Sequence, residues 1–240
     1  LQPASIKIIS LNIEQDRHLD RVIPFILQQQ AEIVLLQEVF EANIAELETS
    51  LKMKSIFLPL TYLKTDSGYR KLGVAIYSRL PFLQSDSYFY RGDINKLPYI
   101  TSKEPDKMAR ALLTAEIAKG SAKFTCVNTH FTWSPNGTPN EDQKRDLDLM
   151  LKKLNDYPEF ILAGDFNTPR GKIIYDTMSA KYQDNIPPDV VSTLDRDLHI
   201  AGHLDLVVDG LFTTPGYFVN HIEVIGGVSD HCAIVVSVSK

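Results

Sequence analysis

Residues 159–167 read EFILAGDFN, an apolar run that stops at Gly164 and is followed at once by an acid, an aromatic ring and an amide. A continuous apolar run of this length is what a strand buried on both faces requires. Residues two apart on a strand point to the same side, so Asp165 and Asn167 would face one direction at its end. Working outward, the arrangement recurs. Ser5 to Ile13 reads as a strand delivering Asn12 and Glu14, Glu32 to Leu36 runs into Gln37 and Glu38, and Lys123 to His130 delivers Asn128 and His130. Near the C-terminus Ser229, Asp230 and His231 precede a strand from Ala233 to Val238. Adjacent residues normally diverge, and Gly226 and Gly227 just upstream allow the bend that would turn Asp230 and His231 to one side.

Helical periodicity fills the gaps. Leu19, Val22, Ile23, Ile26 and Leu27 recur at helical spacing, a second helix covers Glu41 to Leu51, and Leu147, Met150, Leu151 and Leu154 mark one face of a helix starting near Glu141. A short helix is expected over Lys172 to Ser179, and further strands over Ser55 to Leu60, Gly73 to Ser78, Ala111 to Ile117 and His203 to Val208. From Gln84 to Arg110 the pattern is irregular, with Tyr88, Phe89, Tyr90, Arg91, Lys96, Tyr99, Lys103 and Lys107 among polar residues. Structureless stretches of this length usually bind something, so a functional excursion is expected here. Crossovers of parallel type and hairpins occur together, and two packed sheets with helices outside would bury all of these faces.

Composition sets limits. With 240 residues and no linker between halves of different character, one domain over 1–240 is expected. Hydrophobic residues at 44% and charged residues at 23% are those of an ordinary globular protein, and disorder is not indicated. A formal charge of −5 gives no long-range pull on nucleic acid, so a polyanion would have to be drawn in by a local basic patch or a bound metal. Cys126 and Cys232 are too few for a disulfide framework and wrongly spaced for zinc, and read as buried thiols. No run approaches the ~20 apolar residues of a membrane span, and residues 1–15 lack a signal-peptide layout. A cytoplasmic location is expected, although the missing initial Met leaves a removed leader open.

An acid beside a neutral or basic hydrogen-bonding partner at a strand end is what an enzyme needs to hold a divalent metal, a phosphate and an attacking water together. Taken singly, each such residue is more often a turn-former or a solvated group. Their joint occurrence in this order carries the reading. The strings LNIE (11–14), LLQEV (35–39), VNTHF (127–131), LAGDFN (162–167), HLDLV (203–207) and SDH (229–231) together resemble the endonuclease/exonuclease/phosphatase superfamily, to which deoxyribonuclease I, abasic-site nucleases, tyrosyl-DNA phosphodiesterases of the second type, inositol polyphosphate 5-phosphatases and neutral sphingomyelinases belong.

The resemblance implies an α/β (α+β) fold, a four-layer αββα sandwich of two mixed sheets with the site where they open at one edge. It implies that Glu38 binds metal, with Asn12 and Asp230 completing that neighbourhood and Glu14 standing where several members have Asp. Mg²⁺ suits such oxygen donors, with Mn²⁺ substituting. Asp165 would orient and deprotonate the water, Asn167 would hold that water and a phosphate oxygen, and His231 would meet the phosphate as a cation. Asp205 matches the Asp that pairs with this His, and His130 matches a position that is His in the deoxyribonuclease-like and sphingomyelinase-like branches. On the substrate side stand Arg110, which resembles an Arg of the tyrosyl-DNA phosphodiesterase branch, Asn128, and Trp133, whose ring could stack on a base or sugar. His203 and Leu206 depart from the family's usual Arg and Tyr. The expected function is a Mg²⁺-dependent phosphodiesterase acting as a monomer on DNA or RNA; the alternative is a phosphatase or sphingomyelinase-like enzyme on small or lipid phosphoesters.

Overall fold

The computed structural model describes residues 3–240. In chain order its elements are β1 (Ser5–Asn12), α1 (Leu19–Gln29), β2 (Ile33–Phe40), α2 (Ile44–Leu51), β3 (Lys54–Thr65), β4 (Gly68–Ser78), β5 (Phe82–Arg91), β6 (Tyr99–Ile100) and β7 (Arg110–Lys119). There follow β8 (Ala122–His130), α3 (Glu141–Leu154), β9 (Ile161–Asp165), α4 (Ile173–Lys181), β10 (Gln183–Asp184), β11 (Asp209–Thr213), β12 (Phe218–Ile225) and β13 (Ala233–Ser239). Among the described residues, thirteen strands form two mixed sheets, a seven-stranded one in the order β12-β13-β1-β2-β4-β3-β6 and a six-stranded one in the order β10-β11-β9-β8-β7-β5.

The sheets pack face to face, with helices outside. Ile6 and Ile8 of β1, Ile33 and Leu35 of β2 and Val74 and Ile76 of β4 belong to a core shared with Ala115 and Ile117 of β7 and Phe124 and Cys126 of β8. Alternation sends Ile9, Leu11, Val34 and Leu36 the other way, onto Val22 and Ile26 of α1 and Leu47 and Leu51 of α2. Burial on both faces explains why β2 opens as a continuous apolar run and why β1 is rich in isoleucine. On the far side, Leu147, Met150 and Leu154 of α3 and Ile174, Tyr175 and Met178 of α4 cover the smaller sheet. This is the four-layer αββα sandwich expected from the sequence. Among the described residues, no helix is long and apolar enough to cross a membrane.

Strand direction gathers the polar residues at one end. β1 and β2 run parallel with Asn12 opposite Gln37, and β8 and β9 run parallel with His130 opposite Asp165. β11 and β13 run antiparallel to their neighbours, so they start where the others finish: Asp209 lies opposite Asp165, and His231 stands just before β13. The register between β8 and β9 depends on Gly164, whose φ is +150°; a Cβ there would fall 1.9 Å from the Thr129 carbonyl oxygen.

Between the layers, Gln37 Nε2 donates to Asn128 Oδ1 at 2.7 Å, while Asn128 Nδ2 donates to the carbonyls of Leu36 and Ala75, both at 2.9 Å. The two sheets are thus joined by fully buried amide groups, a polar tie that packing alone would not give.

Three segments differ from the sequence-based expectation. The first third of the expected excursion is a ten-residue strand, β5, at the edge of the smaller sheet. Its outer positions are polar because they meet water, and this hides the strand's period. Residues 203–208 are not a strand; the strand begins at Asp209. β12, another edge strand, was not anticipated.

Candidate active site

Asp165, at the end of β9 and 2% exposed, lies at the centre. Its Oδ1 accepts the backbone N–H of Asn167 at 2.8 Å, a turn for which Asn167 takes a left-handed φ of 50°. Asn supports that conformation better than a branched residue would. Asp165 Oδ2 accepts from Asn12 Nδ2 at 3.1 Å, with His130 Nε2 at 3.4 Å and His231 Nε2 at 3.8 Å. Burial is the largest influence on this carboxyl and raises its pKa to about 7; the charge of His231 pulls the other way, and Asp209 adds to the rise.

The two histidines differ. His231 Nδ1 lies 2.9 Å from Asp209 Oδ2. Burial alone would strip its proton, but Asp209 and Asp165 outweigh that and hold its pKa well above the ordinary value. His231 is therefore an imidazolium at neutral pH. His130 is driven the other way, by burial first and then by the charges of Arg110 and His231, and is neutral.

Sequence reading misplaced the partner of His231. Asp205 is exposed and pairs with His203 at 3.0 Å; the residue behind His231 is Asp209, four positions on. The string VVDGLF carried the missed signal, because Asp209 heads a strand with every residue buried, and a buried acid needs a partner. Asn128 is also corrected. It lies on the same strand as His130 but one full alternation deeper, fully buried and committed to the inter-sheet tie, out of a substrate's reach. Arg110, expected on the substrate side, is 1% exposed and donates to the carbonyls of His130 and Pro105, so it acts on the site through its charge and its hold on the His130 backbone. Trp133 does line the cleft, beside Asn167 and His231.

On the opposite side of Asp165, Glu38 accepts from Asn12 Nδ2 and Gln15 Nε2, both at 3.4 Å. Its φ of 56° coincides with the interruption in pairing between β2 and β4 that turns it toward the cleft. Its pKa is raised, chiefly by burial and next by repulsion from Asp230. Glu14 does not join this group: both its oxygens are taken, by Arg17 at 2.8 Å and His18 at 2.9 Å. Two carboxylates that repel each other beside an amide fit a hard divalent cation, which would relieve the repulsion. Asp165, Asp209 and His231 also offer ligand atoms within 4.8 Å of one another, a cluster able to hold a metal.

A family model described as "Endonuclease/Exonuclease/phosphatase family" matches residues 9–231. The chain belongs to the endonuclease/exonuclease/phosphatase family. Members hydrolyse phosphoesters, and this chain is accordingly a phosphoester hydrolase. Solved structures of the family share its fold. An endonuclease/exonuclease/phosphatase from Bacteroides vulgatus superposes with a TM-score of 0.76 at 19% identity, covering 98% of this chain and 99% of that one. A humanised D. rerio TDP2 gives 0.71 at 19% identity with 98% and 99% coverage, and a Bacteroides thetaiotaomicron mannosyl-6-phosphatase gives 0.73 at 14% identity with 98% and 100%. No curated protein matches the sequence significantly. At these identities the likeness extends to the fold of family members, with its mixture of substrates, and stops there.

Proposed function

We propose that the protein is a Mg²⁺-dependent phosphodiesterase acting on nucleic acid, in which Asp165 activates the attacking water. The observation that carries this reading is the state of Asp165, a buried carboxylate raised to about 7 with an imidazolium and an amide around it. A carboxylate poised near neutral pH is matched to taking a proton from water. As the water oxygen bonds to phosphorus, its proton passes to an Asp165 oxygen and the bond from phosphorus to the leaving oxygen breaks. His231 donates from Nε2 to a non-bridging oxygen, where negative charge grows. His130 supplies a neutral donor from the other side, and Asn167, whose Nδ2 donates to the Phe131 carbonyl at 3.0 Å, has its Oδ1 left to accept from the water.

Glu38 and Asp230 are the residues that would hold the metal, because Mg²⁺ prefers oxygen donors whereas His231 is committed as a cation against Asp209. Asn12, expected as a ligand, instead turns its Nδ2 donor to Glu38 and Asp165 while its Oδ1 accepts from Glu14 N–H, and so orients the carboxylates. When bound, Mg²⁺ would supply charge stabilisation of the departing oxygen.

Nucleic acid is favoured by the aromatic surfaces at this end: Trp133 in the cleft, and Tyr62 stacked on Tyr99 at 4.5 Å with Tyr69 edge-on, Tyr69 and Tyr99 being exposed. A second reading, a phosphatase or diesterase for small or lipid phosphoesters, is favoured by one observation: no Lys or Arg lines either hollow flanking Asp165. A panel of single-stranded DNA, RNA, 5′-tyrosyl DNA, bis-p-nitrophenyl phosphate, inositol phosphates and sphingomyelin, with Mg²⁺ or EDTA, separates them. The expected outcome is Mg²⁺-dependent cleavage of an oligonucleotide, lost by ~10⁴-fold in Asp165→Asn. Cleavage confined to monoesters or sphingomyelin would replace the first reading with the second.

A further inference from the structure

The hollow beside His231, about 180 Å³, contains a third histidine that the mechanism above does not use. We propose that His199 contacts the substrate, donating from Nε2–H to a non-bridging phosphate oxygen in the hollow it shares with His231. The inference rests on the site being a phosphoester site, as read above, and adds a binding residue to it.

Three observations carry it. First, the tautomer is fixed. Ala201 N–H donates to His199 Nδ1 at 3.2 Å, so a neutral ring carries its proton on Nε2, and Nε2 has no protein partner among the described residues. Second, the ring sits where one phosphate can meet both imidazoles. The His199 and His231 centroids are 6.4 Å apart, the planes are 72° to one another, and both rings line the same hollow with Asn167 and Trp133. Third, the loop carrying His199 is built onto the strand end carrying His231. Asp195 Oδ1 accepts from the N–H groups of Asp197 and Leu198 at 2.9 Å, and its Oδ2 accepts from Gly227 N–H. The Asp195 N–H reaches the Asp230 carbonyl at 2.8 Å, Leu194 bridges to His231, and His199 N–H returns to the Asp195 carbonyl at 3.0 Å. Asp195 itself is 7% exposed. A loop fixed this tightly to the catalytic strand holds its side chain for a positional task.

Burial, and after it the charge of His231, keep His199 below the ordinary histidine pKa. It serves as a neutral donor, so two imidazoles share one phosphate without placing two cations side by side.

The test uses the whole protein with Mg²⁺. Nitrogen-15 spectra of histidine-labelled protein, titrated with inorganic phosphate, are expected to move both the His199 and His231 Nε2 signals. His199→Ala and His199→Asn are expected to weaken phosphate binding and to lower kcat/KM for bis-p-nitrophenyl phosphate by ~10- to 100-fold. His199→Gln, whose amide nitrogen falls near the Nε2 position, should recover most of that loss, and thermal midpoints should stay together. The inference is overturned if His199→Ala binds phosphate and turns over like wild type, or if Gln, Asn and Ala lose equally. A protein that binds phosphate through His199 yet cleaves no phosphodiester would remove the proposed function and leave this inference standing.

Discussion

His130 and His231 stand on two sides of one carboxylate, on strand ends of different sheets, and the fold drives them to opposite charge states. Both are nearly buried, at 5% and 7% exposure, so desolvation does not distinguish them. What differs is the neighbour behind each ring. Behind His231 is the anion Asp209; near His130 is the cation Arg110, which also holds the His130 carbonyl. The same side chain is thus held charged in one place and neutral in the other by a residue that need never touch substrate, and the proposed mechanism uses the first as a cation for phosphate and the second as a neutral donor.

The sharpest way to break this contrast is to make one substitution at both sites. His231→Gln keeps a donor but loses the charge and should lower kcat/KM by ~10³-fold, whereas His130→Gln keeps a neutral donor of the same kind and should cost about 10-fold. Equal losses in steady-state assays would mean that the charge assignments are wrong. Next in size is Asp209→Asn, expected to cost ~10²-fold. It should also change the pH profile. In wild type the rate is expected to climb through about pH 7 as Asp165 ionises and to fall at higher pH as His231 gives up its proton. Removing the Asp209 anion lowers the His231 pKa, so the descending limb should move to lower pH; a limb that stays put would sink the pairing. The smallest effect is expected at Asp205→Asn, which should stay within ~2-fold of wild type, as exposed positions usually do.

How far the sequence revealed this site depends on what each signal measured. Continuous apolar runs located β2, β9 and β13, and isoleucine-rich alternation located β1, because strands covered on both faces leave few positions for polar residues. Asp165, Asn167, His130 and Glu38 could be named as candidates because they sit at the ends of such strands, and Asp230 because it stands just before one. Alternation gave Asn128 its side correctly but is blind to depth, and two residues further down a strand is the difference between a ligand and a structural tie. The mistaken Asp205 has a related cause. HLDLV alternates convincingly, but alternation is also what an exposed loop with scattered leucines produces, and only the burial of 209–213 distinguishes the true strand. β5 and the fate of Arg91, bound to Asp142 and Asp146 of α3, depended on partners distant in the chain. No local pattern encodes those contacts.

The buried amide bond from Gln37 to Asn128 has a consequence for turnover. It fastens one wall of the cleft to the other just beneath the reacting groups, so the walls cannot part and clamp like jaws without breaking a hydrogen bond in a dry interior. Substrates must therefore be admitted and released by the movement of surface loops alone. Any slow gating step in the catalytic cycle belongs to surface segments outside the tie at Asp195, such as 134–140, part of which lines the cleft, and the sandwich beneath keeps still.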